Sequence, residues 1–224
     1  MVKNITDHIN CSKLFEASWL KEGGETIKDK LYDKIQIIDY NEEDELVAEG
    51  ELAKNTFILM NGFIRLTRKT NNEEKQIILF GAPGEVFGLS AALSSGSYPY
   101  SLIAHTNARV GLIRTDVLLN IMKDRPSVLL NLMGVVNNLI NQLEKRRILV
   151  SSCSTALCIK NVLKDLEKKF GIDDIGFIQL PIKAKDLANY LGISRPHLYH
   201  LLSQFKDEFE YSSKYSRIRI KNSL

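Results

Sequence analysis

The rhythm of hydrophobic and polar positions changes twice along the chain. Between about Ile35 and Arg114, short runs rich in β-branched and aromatic residues (35–38, 56–60, 63–67, 76–80, 101–104 and 109–113) are separated by Gly, Asn and Asp clusters. Asn61 and Gly62 fall between two of these runs and fit a two-residue type I′ hairpin turn, where both central residues need positive φ. Strands this short and frequent, with no helices between them, predict an antiparallel barrel or jelly roll.

A helical rhythm follows. Asp116 fits the N-cap of a short helix ending before Arg125, and Pro126 or Ser127 opens a longer one. Leu129, Leu132, Val136, Leu139 and Leu143 are spaced 3, 4, 3, 4, the a/d seam of a heptad. Val128, Met133, Val135 and Ile140 widen the apolar surface. One side of this helix suits the β module and the other a second copy of itself, although two heptads also suit packing within one chain. A third rhythm begins near residue 154: an amphipathic helix over 156–170, apolar at Leu157, Val162, Leu163 and Leu166, is stopped by Gly171. A short strand over 177–180 is halted by Pro181; helices over 183–191 and 194–209 follow, then a small hairpin over 211–221. The expected organisation is 1–115, 116–153 and 154–224.

Residues 186–195 carry the pattern of a helix-turn-helix. Ala188 is small where two helices cross, Gly192 can take the left-handed conformation that ends the first helix, and Ile193 fills the turn. Ser194 can cap the second helix, with Pro196 in its first turn, where no N–H is needed. At about 100° per residue, Leu198, Leu201, Leu202, Phe205 and Phe209 fall on one side of that helix. Arg195, Pro196, Tyr199, His200, Ser203 and Lys206 fall on the other, with His197 at the edge and no acid before Asp207. Such a face suits a DNA major groove, and Arg195 can bind guanine O6 and N7 bidentately. Base contacts are expected from Arg195, Pro196, Tyr199 and His200. Phosphate contacts are expected from Lys183, Lys185, His197, Ser203, Lys206, Lys214, Arg217 and Arg219.

Charge changes the picture only when divided. Residues 1–150 hold 18 Lys+Arg and 19 Asp+Glu, net −1, whereas residues 151–224 hold 12 and 8, net +4, so the total of +3 conceals a mildly basic last third. Three cysteines (Cys11, Cys153 and Cys158) make a disulfide-stapled secreted fold unexpected and suit a reducing cytoplasm. The long uncharged runs, 86–108 and 126–143, carry too many Ser, Asn, Pro and Gly residues for a membrane span, and residues 1–13 lack the apolar stretch of a signal peptide. No nucleophile elbow, Walker A, dinucleotide or zinc-protease motif occurs, so no enzymatic activity is expected. A rival reading, a small-molecule-binding or metal-dependent jelly roll whose C-terminal part makes only protein contacts, would need several metal ligands, and His105 alone does not supply them. His197 and His200 lack a third ligand nearby; Cys153 and Cys158, about 140° apart on a helix, could serve only as a thiol switch.

The order of modules, with residues 83–88 (Pro-Gly-Glu-Val-Phe-Gly) and Ile193-Ser194-Arg195, resembles the cyclic-AMP receptor protein and fumarate–nitrate reduction regulator (Crp/Fnr) family of bacterial transcription regulators. The resemblance implies an α+β chain: an N-terminal antiparallel β-roll of cyclic-nucleotide-binding type, a long dimerisation helix and a C-terminal winged helix-turn-helix. It implies a homodimer, with Leu129, Leu132, Val136, Leu139 and Leu143 at the interface, on a near-palindromic double-stranded DNA operator, with RNA polymerase as a further partner. It also places an effector pocket at Gly88, Leu89, Ser90, Pro99 and Tyr100. The family's nucleotide binders follow that glycine with a Glu and later use an Arg–Ser/Thr pair; here those positions hold Leu89 and Pro99-Tyr100, so the pocket is degenerate for cyclic nucleotides. Any effector is then another small molecule, or none. Met60, Tyr98 and Tyr100 are candidates to line what remains, with core packing the favoured role. Three cysteines exclude a four-cysteine iron–sulfur cluster within one chain, and no cofactor or metal is expected. The recognition segment departs from the family's Ser-Arg-Glu-Thr pattern at Pro196 and His200, which implies a different operator.

Overall fold

The computed structural model describes residues 34–93, 96–152 and 155–221, with the side chains of 92, 93, 138, 139, 142, 145–152, 155 and 156 left undescribed. Residues 1–13, Cys11, Cys153 and the side chain of Leu139 therefore lie outside the described parts. The chain divides into two compact units, Met1–Leu139 and Ile140–Leu224.

The first unit runs β1 (Ile35–Tyr40), β2 (Glu45–Val47), β3 (Asn55–Asn61), β4 (Ile64–Lys69), β5 (Lys75–Gly81), β6 (Val86–Phe87), α1 (Leu89–Leu93), β7 (Ser101–Ala104), β8 (Ala108–Arg114) and α2 (Thr115–Asp124), then enters α3 (Pro126–Ser152). Two antiparallel four-stranded sheets form, in the orders β1-β8-β3-β6 and β2-β7-β4-β5, and they make the expected β-roll. Strand β3 is dry on both faces. Phe57 and Leu59 pack with Ile64, Leu66, Leu102 and Val110 inside the roll. Ile58 and Met60 turn the other way, onto Leu118, Ile121 and Met122 of α2 and Val128 and Leu132 of α3. A strand buried on both faces reads as a continuous apolar run, which is why 56–60 shows no alternation.

Asn61-Gly62 is not a hairpin turn. Strands β3 and β4 belong to different sheets, and only Gly62 of the pair has positive φ, at +79°. The glycine is needed because a Cβ there would collide with the Asn107 carbonyl oxygen, so the Asn-Gly signal marks a crossing between sheets. The tight hairpin is β4–β5, closed by the Thr70 N–H donating to the Glu74 carbonyl at 2.8 Å, with Glu73 left-handed at φ +59°. Asp116 is not an N-cap either. Strand β8 runs directly into α2, leaving Arg114 at the cap, and Asp116 sits inside the first turn. There it accepts from the Val117 N–H at 2.9 Å and from Arg114 at 3.0 and 2.7 Å.

Helix α3 corrects the heptad register. Val128 and Leu132 are 1% and 0% exposed, built into the cluster beneath β3, so Leu132 cannot face a second chain. Leu129, Val135 and Val136 are half-buried beside that cluster. Met133, Ile140 and Leu143 stay open at 58%, 48% and 41%.

In the second unit, α4 (Thr155–Phe170), α5 (Ala184–Leu191) and α6 (Arg195–Gln204) precede the antiparallel pair β9 (Phe209–Ser212) and β10 (Arg217–Ile220). Helix α4 buries Ile159, Val162, Leu163, Leu166 and Phe170. Leu157 does not join them: it is 46% exposed, because it lies almost opposite that face at 100° per residue. Residues 177–180 form one bridge, Ile172 to Ile178, rather than a strand. The Ile178 and Ile182 N–H groups do bond the Ser216–Ile218 edge, at 3.0 and 2.6 Å, but Pro181 between them has no N–H to continue a ladder. Helix α6 ends five residues earlier than 209, at Gln204, and Phe209 anchors β9 instead.

Candidate functional site

The turn between α5 and α6 is built by the residue types the sequence places there. Gly192 ends α5 at φ 72°, ψ 28°, its N–H directed to the Ala188 and Asn189 carbonyls, and the Ile193 N–H bonds the Ala188 carbonyl at 3.0 Å. Ser194 caps α6: its Oγ accepts from the His197 N–H at 3.3 Å, with Pro196 in the first turn. Leu198 and Leu201 are buried and Leu202 and Phe205 half-buried, which fixes how α6 is rotated. Arg195, Pro196, His197, Tyr199, His200, Ser203 and Lys206 are consequently all exposed. Lys183, at the N-cap of α5, and Lys185 are exposed as well.

The hairpin β9–β10 holds its basic residues in two environments. Lys214 stands exposed at its tip, its ammonium 5.1 Å from the Tyr215 ring centroid. Arg217 and Arg219 are half-buried and ion-paired. Arg217 donates to Asp173 at 2.6 Å. Arg219 grips one Glu210 oxygen through Nε and Nη2 at 3.0 and 2.7 Å, donates to the Ile175 carbonyl at 2.7 Å and lies 4.8 Å from the Phe177 ring centroid. Both arginines fasten the hairpin to the 173–177 loop. Burial alone would raise the Asp173 carboxyl, but the Phe177 and Ile175 N–H groups and Arg217 outweigh it and hold the group below its ordinary value. Asp173 and Glu210 were missed because the arginines that need them are 44 and 9 residues away in sequence.

In the roll, three of the five pocket residues come together. Gly88, at φ +84°, donates its N–H to the Tyr100 hydroxyl at 3.0 Å, and Ser90 hydrogen-bonds the same hydroxyl. Burial raises the Tyr100 phenol pKa against the opposing pull of these two groups. Leu89 is turned away, 4% exposed in the cluster beneath β3, and Pro99 faces solvent. Tyr98 donates to the Asn55 carbonyl at 2.6 Å and accepts from the Asn55 N–H at 3.1 Å, while Met60 packs under the helices. Both are core. His105 is also core, with its Nδ1 3.3 Å from Arg65, which forms a two-pronged pair with Glu43 at 3.0 and 2.6 Å. Among the described residues no three His, Cys, Asp or Glu side chains cluster as metal ligands, and no helix is long and apolar enough to cross a membrane. Cys158 is half-buried and in no disulfide among the described residues.

Residues 37–125 match the cyclic nucleotide-binding domain family. Over 181 residues, 80% of this chain and 74% of the relative, the chain is 23% identical to the transcriptional activator protein FnrA of Stutzerimonas stutzeri. Over 174 residues, 77% of this chain and 78% of the relative, it is 20% identical to the CRP-like cAMP-activated global transcriptional regulator of Mycobacterium tuberculosis. The solved structure of FixK2 from Bradyrhizobium japonicum superposes with a TM-score of 0.73 at 21% identity, covering 84% of this chain and 93% of that one. Matches of this length take in both units: over most of its length the chain is similar to transcriptional regulators of the Crp/Fnr kind.

Proposed function

We propose that the chain is a homodimeric, sequence-specific DNA-binding transcriptional regulator of the bacterial cytoplasm, not an enzyme, whose roll does not require a cyclic nucleotide. The observation that carries this reading is the exposed, acid-free face of α6, capped by Ser194 and headed by Arg195. Arg195, Pro196, Tyr199 and His200 contact base edges. Lys183, Lys185, His197, Ser203, Lys206 and Lys214 contact phosphates and set the register on the duplex. Two copies join along Leu129, Met133, Val136, Ile140 and Leu143, spaced 4, 3, 4, 3, a seam that leaves Leu132 to the core. Two-fold symmetry then sets half-sites about 10–10.5 bp apart in a near-palindrome. RNA polymerase is the partner through which such a bound dimer acts on transcription.

Selection of genomic DNA on the full-length protein, followed by footprinting, tests the reading. A palindromic site whose affinity falls steeply with salt is expected. Recovery of no palindrome, with Arg195→Ala leaving affinity unchanged, would sink it.

A further inference from the structure

A site that awaits a ligand presents donors without acceptors, and the Gly88 amide is not such a donor. The Gly88 N–H turns inward at φ +84°, where even a Cβ would crowd the Asn55 carbonyl oxygen at 3.0 Å and the Tyr98 ring at 3.1 Å. A buried N–H requires an acceptor, and Tyr100 supplies it at 3.0 Å, with its ring against the roll core. Tyr98, two residues earlier, satisfies both backbone groups of Asn55. The two hydroxyls staple the start of β3 and the end of β6, neighbouring strands that pair at Phe57–Phe87.

We infer that Tyr100 is a built-in ligand: its phenol occupies the place of a soluble effector at the Gly88 amide and holds the turn from β6 into α1 in one arrangement, making operator binding independent of added nucleotide. Among the described residues the partners of this hydroxyl are an amide and another hydroxyl, not a cation, so the position is suited to a neutral phenol rather than a phosphate. Burial of the ring, which favours the protonated form, agrees with that chemistry. An anion there would bring an uncompensated charge into the roll. The complementary ligand class for the emptied position is a small neutral phenol.

The inference rests on the regulator reading only for its DNA readout. Full-length wild type, Tyr100→Phe and Tyr100→Ala are compared for melting temperature and for affinity to the selected palindrome, with and without cyclic AMP or millimolar p-cresol. Wild-type affinity should be unmoved by either compound. Tyr100→Ala should lose about tenfold in operator affinity, within the usual range of coupling between sites. p-Cresol should raise the melting temperature of Tyr100→Ala and recover most of its DNA binding, since a ligand that binds only the folded state stabilises it. Stimulation of the wild type by cyclic AMP overturns the inference, as does a Tyr100→Ala protein with wild-type affinity or without any response to p-cresol. If Tyr100→Ala does not fold, Tyr100→Phe decides, because it removes only the hydroxyl. A several-fold loss of affinity, beside only the modest drop in melting temperature that one unpaired buried N–H causes, supports the inference, and unchanged affinity overturns it. Should the wild type bind no palindrome, the regulator reading fails, while the p-cresol shift of Tyr100→Ala still tests the occupied position.

Discussion

The roll and the helix-turn-helix treat their polar groups in opposite ways. Inside the roll the polar groups around Gly88 and Arg65 are met from within: Gly88 by Tyr100, Asn55 by Tyr98, Arg65 by Glu43 and His105. On α6 the fold satisfies only what it needs, the Ser194 cap, and leaves Arg195 exposed with no ion pair among the described residues. A polar side chain that its own chain completes is architecture, and one held out by a rigid helix is available to a partner. Arg195 and Arg219 make the contrast within a single unit, because both are candidates for DNA and Arg219 is also paired within the chain.

The largest test of the contrast is Phe57→Ala. It removes a 2% exposed ring from the roll interior and should cost about 3–5 kcal/mol of stability, read as a lower urea midpoint. Equal stability would show the interior to be loosely packed. Arg195→Ala should leave stability unchanged and weaken specific DNA binding by about 1–3 kcal/mol, the worth of a good bidentate base contact, measured by titration against operator and scrambled duplex. Arg219→Ala should do the reverse. It should lower the melting temperature through loss of about 1 kcal/mol, modest because its ion pair is partly exposed, and change affinity little; a strong affinity loss with no loss of stability would place it in the phosphate set. Lys214→Ala should weaken all sequences alike and reduce the salt slope by about 1. The smallest effect is that of pH on Asp173. Its folded pKa lies below the ordinary 3.8, so its contribution to stability is complete above that value and lost as pH falls through the lower folded one. Asp173→Asn should flatten acid unfolding of the second unit below about pH 3.8, as followed by circular dichroism.

How much of this could be read beforehand depended on how far apart the determining residues lie. Gly192, Ser194 and Pro196 act within a few positions of each other, and the turn they make was legible residue by residue. The six longer strands were legible for the same reason, while β2 and β6, three and two residues long, carry too few positions for a period. Asn61-Gly62 misled because a local turn signal cannot say which sheet the next strand joins; the Asn107 carbonyl, 45 positions on, decides it. Leu132 fitted the heptad as well as Met133 does, and only the position of β3 beneath α3 sorts them. The same distance separates the basic residues: Lys214 is set by its own turn, whereas Arg217 depends on Asp173.

Strand β3 has a consequence for how the roll keeps its alignment. Most sheet strands are held in register by polarity, since sliding by one residue would exchange a dry face for a wet one. In β3 both faces are apolar, so a slip would merely exchange Phe57 and Leu59 for Ile58 and Met60. The penalty is left to volume and to the bonding frame with β8, from Asn55–Arg114 to Leu59–Val110, with an irregularity before Asn61. The ring of Phe57, too large for the space that Ile58 fills, therefore acts as the alignment pin of the roll, and exchanging the two residues should disturb its geometry while leaving its hydrophobicity unchanged.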